Sequence, residues 1–171
     1  MNWMLREHAK VLQAIRLAGA ISGRKKLQKM IYIAKQLSFP FDEKFQFHFY
    51  GPYSEELTVR VEELVNMGFL EETKIKKGGY VQYRYNLTEE GEGFLNMLHL
   101  ENPPQLEACL QDMNNRSSRF LELVSTILFF QDLGKEEIIH KINTVKAKQK
   151  YTAEEIEEAF QYIDALKKQI F

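Results

Sequence analysis

Glu137-Ile138-Ile139-His140 has the E-x-x-H spacing with which di-iron carboxylate bundles hold their metal. Such a centre needs a second copy of the spacing and two more inward glutamates. The sequence has no second copy, so this pair reads as surface. His8, His48 and His99 form no metal spacing either. Cys109 is the single cysteine, which excludes an intramolecular disulfide and every cysteine-based zinc site. Beside Leu110 it falls on an apolar helical stripe and reads as a small core residue. Gly91-Glu92-Gly93 lacks the third glycine and the strand-helix-strand context of a nucleotide fingerprint. No motif joins a nucleophile, a base and an electrophile. The expectation is a non-enzyme with no catalytic residue, metal or cofactor.

Binding chemistry is better represented. Arg24, Lys25, Lys26 and Lys29 form one basic group, and Lys74, Lys76, Lys77 and Arg84 form another. On a common face the eight would contact phosphates; on separate faces they are solvated charges balancing the acidic residues. Between them runs Phe45-Gln46-Phe47-His48-Phe49-Tyr50, followed by Gly51-Pro52-Tyr53-Ser54-Glu55-Glu56. The alternation of the three phenylalanines predicts a short strand with its aromatic face turned inward and His48 outward. Tyr50 and Tyr53 flank a turn and carry polar tips, which makes them, with Glu55 and Glu56, candidate contacts for a protein partner.

The elements that must position these groups follow from periodicity. Met4 to Ala18 carries Leu5, Val11, Leu12 and Ile15 at helical spacing, closed by Gly19. Ser22 is the expected cap of a second helix with the stripe Leu27, Met30, Ile31, Ala34 and Leu37, and Pro40 its expected stop. Ser54 caps a third helix with Leu57, Val61, Leu64 and Val65 inside and Gly68 at its end. Phe69–Lys76 and Tyr80–Leu87 predict a hairpin turned by Lys77-Gly78-Gly79. Thr88 caps a fourth helix. Asn102-Pro103-Pro104 is the clearest linker. Beyond it the pattern predicts about four helices: one around Leu106 to Met113, one from Phe120 ending near Gly134, one around Ile138 to Ile142, and a last one. The last opens on the capping box Thr152-Ala153-Glu154-Glu155 and carries an apolar stripe from Ile156 to Ile170.

Helix, helix, short strand, helix, hairpin, helix is the order of a winged-helix module. The predicted fold class is therefore mainly α with a small β-hairpin. A winged helix-turn-helix core spans residues 1–100, and a helical region at 105–171 packs on it or dimerises. Size agrees: 171 residues can bury roughly 70% of the unfolded surface without disulfide or metal. With 44% hydrophobic and 27% charged residues the chain reads as globular. Its 23 Lys+Arg against 24 Asp+Glu rule out a wholesale basic coat. The first residues lack the apolar core of a secretory signal, and the most apolar stretch, Phe120 to Phe130, is about half a membrane span. A cytoplasmic location is expected.

Two runs narrow the reading. Lys26-Leu27-Gln28-Lys29-Met30-Ile31-Tyr32-Ile33-Ala34 and Phe49-Tyr50-Gly51-Pro52-Tyr53-Ser54-Glu55-Glu56-Leu57 resemble the YwgA-like family of uncharacterised bacterial proteins. They are more distantly similar to the Panacea (SocA-like) antitoxin domain. The likeness covers roughly residues 5 to 95. It implies a winged helix and, through the antitoxin similarity, neutralisation of a partner protein.

Two functions follow as expectations. One is a winged-helix transcriptional regulator that binds DNA through the eight basic residues and forms a homodimer through its C-terminal helices, chiefly the last stripe. The other is an antitoxin-type interaction module. Charge separates them, because Ser54 to Glu63 holds Glu55, Glu56, Glu62 and Glu63 against Arg60 alone. That face would be repelled where recognition helices meet DNA.

Overall fold

A computed structural model describes residues 5–171. Among these described residues eight α-helices make up most of the structure, with two small antiparallel sheets between them. The first helix, α1 (Arg6–Ala18), closes at Gly19; Met4, its expected start, lies outside the described residues. Ser22 is not a helix cap. With Ile21 it forms β1 (Ile21–Ser22), and Gly23, at φ 115°, leads into α2 (Arg24–Gln36). Nor does Pro40 stop α2. The stop is a Schellman turn at Ser38 (φ 72°), where Ser38 N–H bonds Lys35 O and Phe39 N–H bonds Ala34 O.

Residues 27 to 34 of α2 are all buried. A helix buried all round over two turns must be sheathed on every side. Here α1 packs against α5 (Leu106–Asn114), while α2 packs against both α5 and α6 (Ser118–Phe129). One continuous core runs through both halves of the chain. α6 ends at Phe129, and Gly134 caps the next helix, α7 (Lys135–Val145), rather than closing α6. After a 3-10 turn at Ala147–Gln149, the capping box at Thr152 and Glu155 opens α8 (Ala153–Ile170). Ile156, Ala159, Ile163 and Leu166 are buried, and α8 lies on α6. The stripe expected to form a dimer interface is therefore inside the protein.

The run at 45–53 is a hairpin, not a single strand followed by a break. β2 (Gln46–His48) pairs with β3 (Gly51–Tyr53), Gln46 opposite Tyr53. Ser54 then caps α3 (Glu55–Asn66), its side chain accepting Leu57 N–H at 3.1 Å. Gly68 (φ 79°) reverses the chain into β4 (Leu70–Lys77), which pairs along its length with β5 (Tyr80–Leu87) around Gly78-Gly79. β1 joins on the other side of β5, giving the order β1-β5-β4. Thr88 caps α4 (Glu89–Leu98), and Gly91 packs directly on Phe69: a Cβ there would lie 2.1 Å from Phe69 O. Among the described residues no helix is long and apolar enough to cross a membrane.

Candidate docking site

Lysine holds the short hairpin in place. Lys29 on α2 is 1% exposed, and its Nζ donates to Pro52 O at 2.7 Å. Lys146, 2% exposed, donates to Phe49 O at 2.9 Å and lies 3.6 Å from Glu122 on α6. The second Glu122 role is local, since Oε2 accepts from Tyr151 Oη at 3.2 Å and Gln149 Nε2 at 3.3 Å. Burial pushes Lys29 down to about 8 despite Glu122 opposite it, and burial lowers Lys146 too. Lys29 is thus a structural cation, not a surface contact as the sequence suggested. Gln28 completes the clamp: its Oε1 accepts Ser54 N–H at 2.9 Å and its Nε2 donates to Ser54 O at 3.0 Å.

This anchoring decides which aromatic residues are free. Phe45 packs edge-on against Tyr32, and Phe47 sits between Phe129 and Phe130. Phe49 breaks the expected inward pattern. It lies at the hairpin tip, 70% exposed, because the turn to Gly51 (φ 84°) carries it out of register. Tyr50 is also exposed, with Lys25 Nζ 4.1 Å above its ring, and His48 is exposed as expected. Tyr53 is half-buried, its hydroxyl 2.7 Å from Thr58 Oγ1.

A groove of about 700 Å³ opens beside this tip, between α2, α3 and the sheet. Tyr50 and Tyr53 stand at one end, Val61 and Val65 line α3, and Arg24 and Glu72 face them. Glu55, Glu56, Glu62 and Glu63 on α3 are all exposed. The lone basic residue of that helix is turned away, since Arg60 Nη1 bonds Asp42 Oδ1 at 2.8 Å and also Glu43. Glu7, Asp42 and Glu43 bring carboxylate oxygens within 4.8 Å of one another, a spacing that could hold a cation. Arg60 pairs with Asp42 and Glu43 there, and Lys10 with Glu7.

The basic candidates divide. Cross-strand partners share a face of a ribbon, so Lys74 (opposite Tyr83) and Lys76 (opposite Val81) lie on the face of Tyr85 and Glu72. Arg24 joins them, stacked 3.7 Å above Tyr83 with Nε donating to Tyr85 Oη at 3.2 Å. Arg84 (opposite Thr73) and Lys77 (opposite Tyr80) lie on the other face. Lys26 points to α5 and donates to Asn114 O. The eight do not form one patch; Arg24, Lys25, Lys74 and Lys76 remain on the groove side. Elsewhere, Glu137 and His140 are exposed on α7, and Cys109 is buried with its thiol pushed up to about 12 by desolvation and then Asp112.

A relative described as "Uncharacterized protein YwgA" from Bacillus subtilis (strain 168) is 60% identical over 164 residues, 96% of this chain and 98% of the relative. The match runs through the C-terminal helices, beyond residues 5–95 that carry the family likeness. No family model matches the chain.

Proposed function

The chain belongs to the YwgA-like family, and from that premise we propose a non-enzymatic regulatory protein with a winged-helix core that acts as an interaction module of antitoxin (Panacea-like) type. It neutralises a partner protein docked on α3, Tyr50 and Tyr53. The winged-helix part is supported by the sequence of elements α1, β1, α2, α3, β4, β5 and by the sheet order β1-β5-β4. Residues 37–54 depart from the three- or four-residue turn of the usual helix-turn-helix, and the latched hairpin fills that departure.

One observation carries the choice of partner class. The exposed face of α3 holds four glutamates while Arg60 is tied into the loop at Asp42 and Glu43. DNA carries one negative charge per roughly 1.7 Å of axis, so this helix favours a basic protein surface over a groove of DNA. The test is capture from native lysate with and without nuclease, using the wild type and Glu55→Lys with Glu62→Lys. A stoichiometric partner that survives nuclease and is lost in the variant supports the reading. Recovery of nothing, or of partners removed by nuclease, sinks it.

DNA binding is the second reading, favoured by Arg24 and Lys25 on the groove and by Lys74 and Lys76 on the adjoining ribbon face. It requires a mobility shift on genomic DNA at about 50 mM salt that Lys74→Glu with Lys76→Glu abolishes.

A further inference from the structure

The protein carries two exposed surfaces of opposite sign and matching pattern. On the β4–β5 ribbon, Lys74 and Lys76 share a face with Val81, which is 42% exposed. On α3, Glu55, Val59 and Glu62 fall at helical spacing on one stripe, with Val59 49% exposed. Each surface is an apolar side chain flanked by two like charges. One is positive, the other negative. Glu62 lines the α3 side of the groove, and Glu72 and Tyr85, on the ribbon face of Lys74 and Lys76, line its opposite side.

Within one chain, and among the described residues, no ion pair joins the two surfaces. β4 starts at Leu70, just past the C-terminal end of α3, and Lys76 lies six residues farther out, roughly 20 Å along the ribbon. Among the described residues, none of Lys74, Lys76, Glu55 and Glu62 is in an ion pair within 4.0 Å. Both charge sets are therefore left for a partner in trans.

We propose that the occupant of this face is a second copy of the chain: the ribbon of each protomer lies on α3 of the other, about a twofold axis. The surfaces are complementary to each other and each protomer presents both; paired about a twofold axis, the two contacts are made reciprocally and the assembly closes as a dimer. Charge complementarity fixes the register, and the two valines supply the water-excluded contact. The proposal rests on α3 being the docking face, and it adds regulation. A homodimer covers Glu55 and Glu62, so a heterologous partner must displace the second copy.

Sedimentation velocity of the purified full chain at about 50 µM tests it, in ~100 mM and ~1 M salt. The wild type is expected to be a dimer that weakens at high salt. Lys74→Glu with Lys76→Glu places like charges in both contacts and gives a monomer; Glu55→Lys with Glu62→Lys does the same. Mixing the two variants restores opposite charges in both contacts and restores the dimer. Val81→Ser with Val59→Ser, which changes no charge, weakens the wild-type dimer by tenfold or more. Circular dichroism checks that each variant is folded. A wild-type monomer at low salt, or a dimer indifferent to both charge reversals, overturns the proposal. Lysate capture is read separately, so a monomer that still loses its partner on Glu55→Lys with Glu62→Lys leaves the docking reading intact.

Discussion

The two hairpins use lysine in opposite ways. In the β2–β3 hairpin, Lys29 and Lys146 are sealed under the turn and hold backbone carbonyls. In the β4–β5 hairpin, Lys74 and Lys76 stand in solvent on a ribbon eight residues long on each strand. One hairpin is short and depends on the body of the protein for its shape. The other is long enough to be held by its own ladder. A three-residue strand pair is marginal in water, so the buried cations do what strand length does elsewhere. The same residue type is a structural pin in one place and a surface charge in the other.

Deleting a lysine from each hairpin separates the two roles most sharply. Lys146→Ala leaves Phe49 O without its donor and Glu122 without its cation, and is expected to cost about 3 kcal/mol in urea denaturation. Lys76→Ala should stay within about 0.5 kcal/mol. Equal losses would erase the distinction.

The turn glycines sharpen it at smaller scale. Gly51 (φ 84°) is buried, with Glu122, Thr126 and Lys146 atoms within 4 Å of a notional Cβ; Gly78 (φ 53°) faces open space. Gly51→Ala should cost about 2 kcal/mol and Gly78→Ala about 1, read as shifts in thermal midpoint.

A further contrast is a pH slope. Lys29 titrates at about 8 when folded, against 10.5 ordinarily. Between those values the unfolded chain holds the extra proton, so this group's contribution to stability rises with pH. It is fully present above 10.5 and is lost as pH falls through 8. Wild type should therefore gain relative to Lys29→Met from pH 8 to 10.5. A flat difference would mean that Lys29 is not desolvated.

Much of this architecture is legible in the sequence, and the failures share a cause. Caps at Ser54, Thr88 and Thr152 and the turn at Gly78-Gly79 are local signals, and the structure bears them out. The burial of Lys29 is hidden from periodicity, which scores one face of a helix at a time. Yet Met30-Ile31-Tyr32-Ile33-Ala34 has no polar side, and a helix so built draws in its neighbours Gln28 and Lys29. Lys146 is 97 residues from the carbonyl it holds, a distance no local pattern spans. Ser22 reads as a cap in the sequence because its pairing with Arg84 on β5 is also remote. The acidic face of α3 was readable throughout, since exposed charges need no tertiary context. The commitment of Arg60 to Asp42 and Glu43 was not.

The sheathing of α2 has a consequence for how the chain can be divided. Its stripe touches α5 and α6 from beyond the double proline as well as β1 and β3 from before it. The linker at Asn102-Pro103-Pro104 is a bend in one body, and a cut there would strip a wall from the central helix on both sides of the break. The groove beside α2 is thus built on a scaffold that α5 and α6 help to brace, so a partner docked there as proposed would feel substitutions along α6, far from the contact.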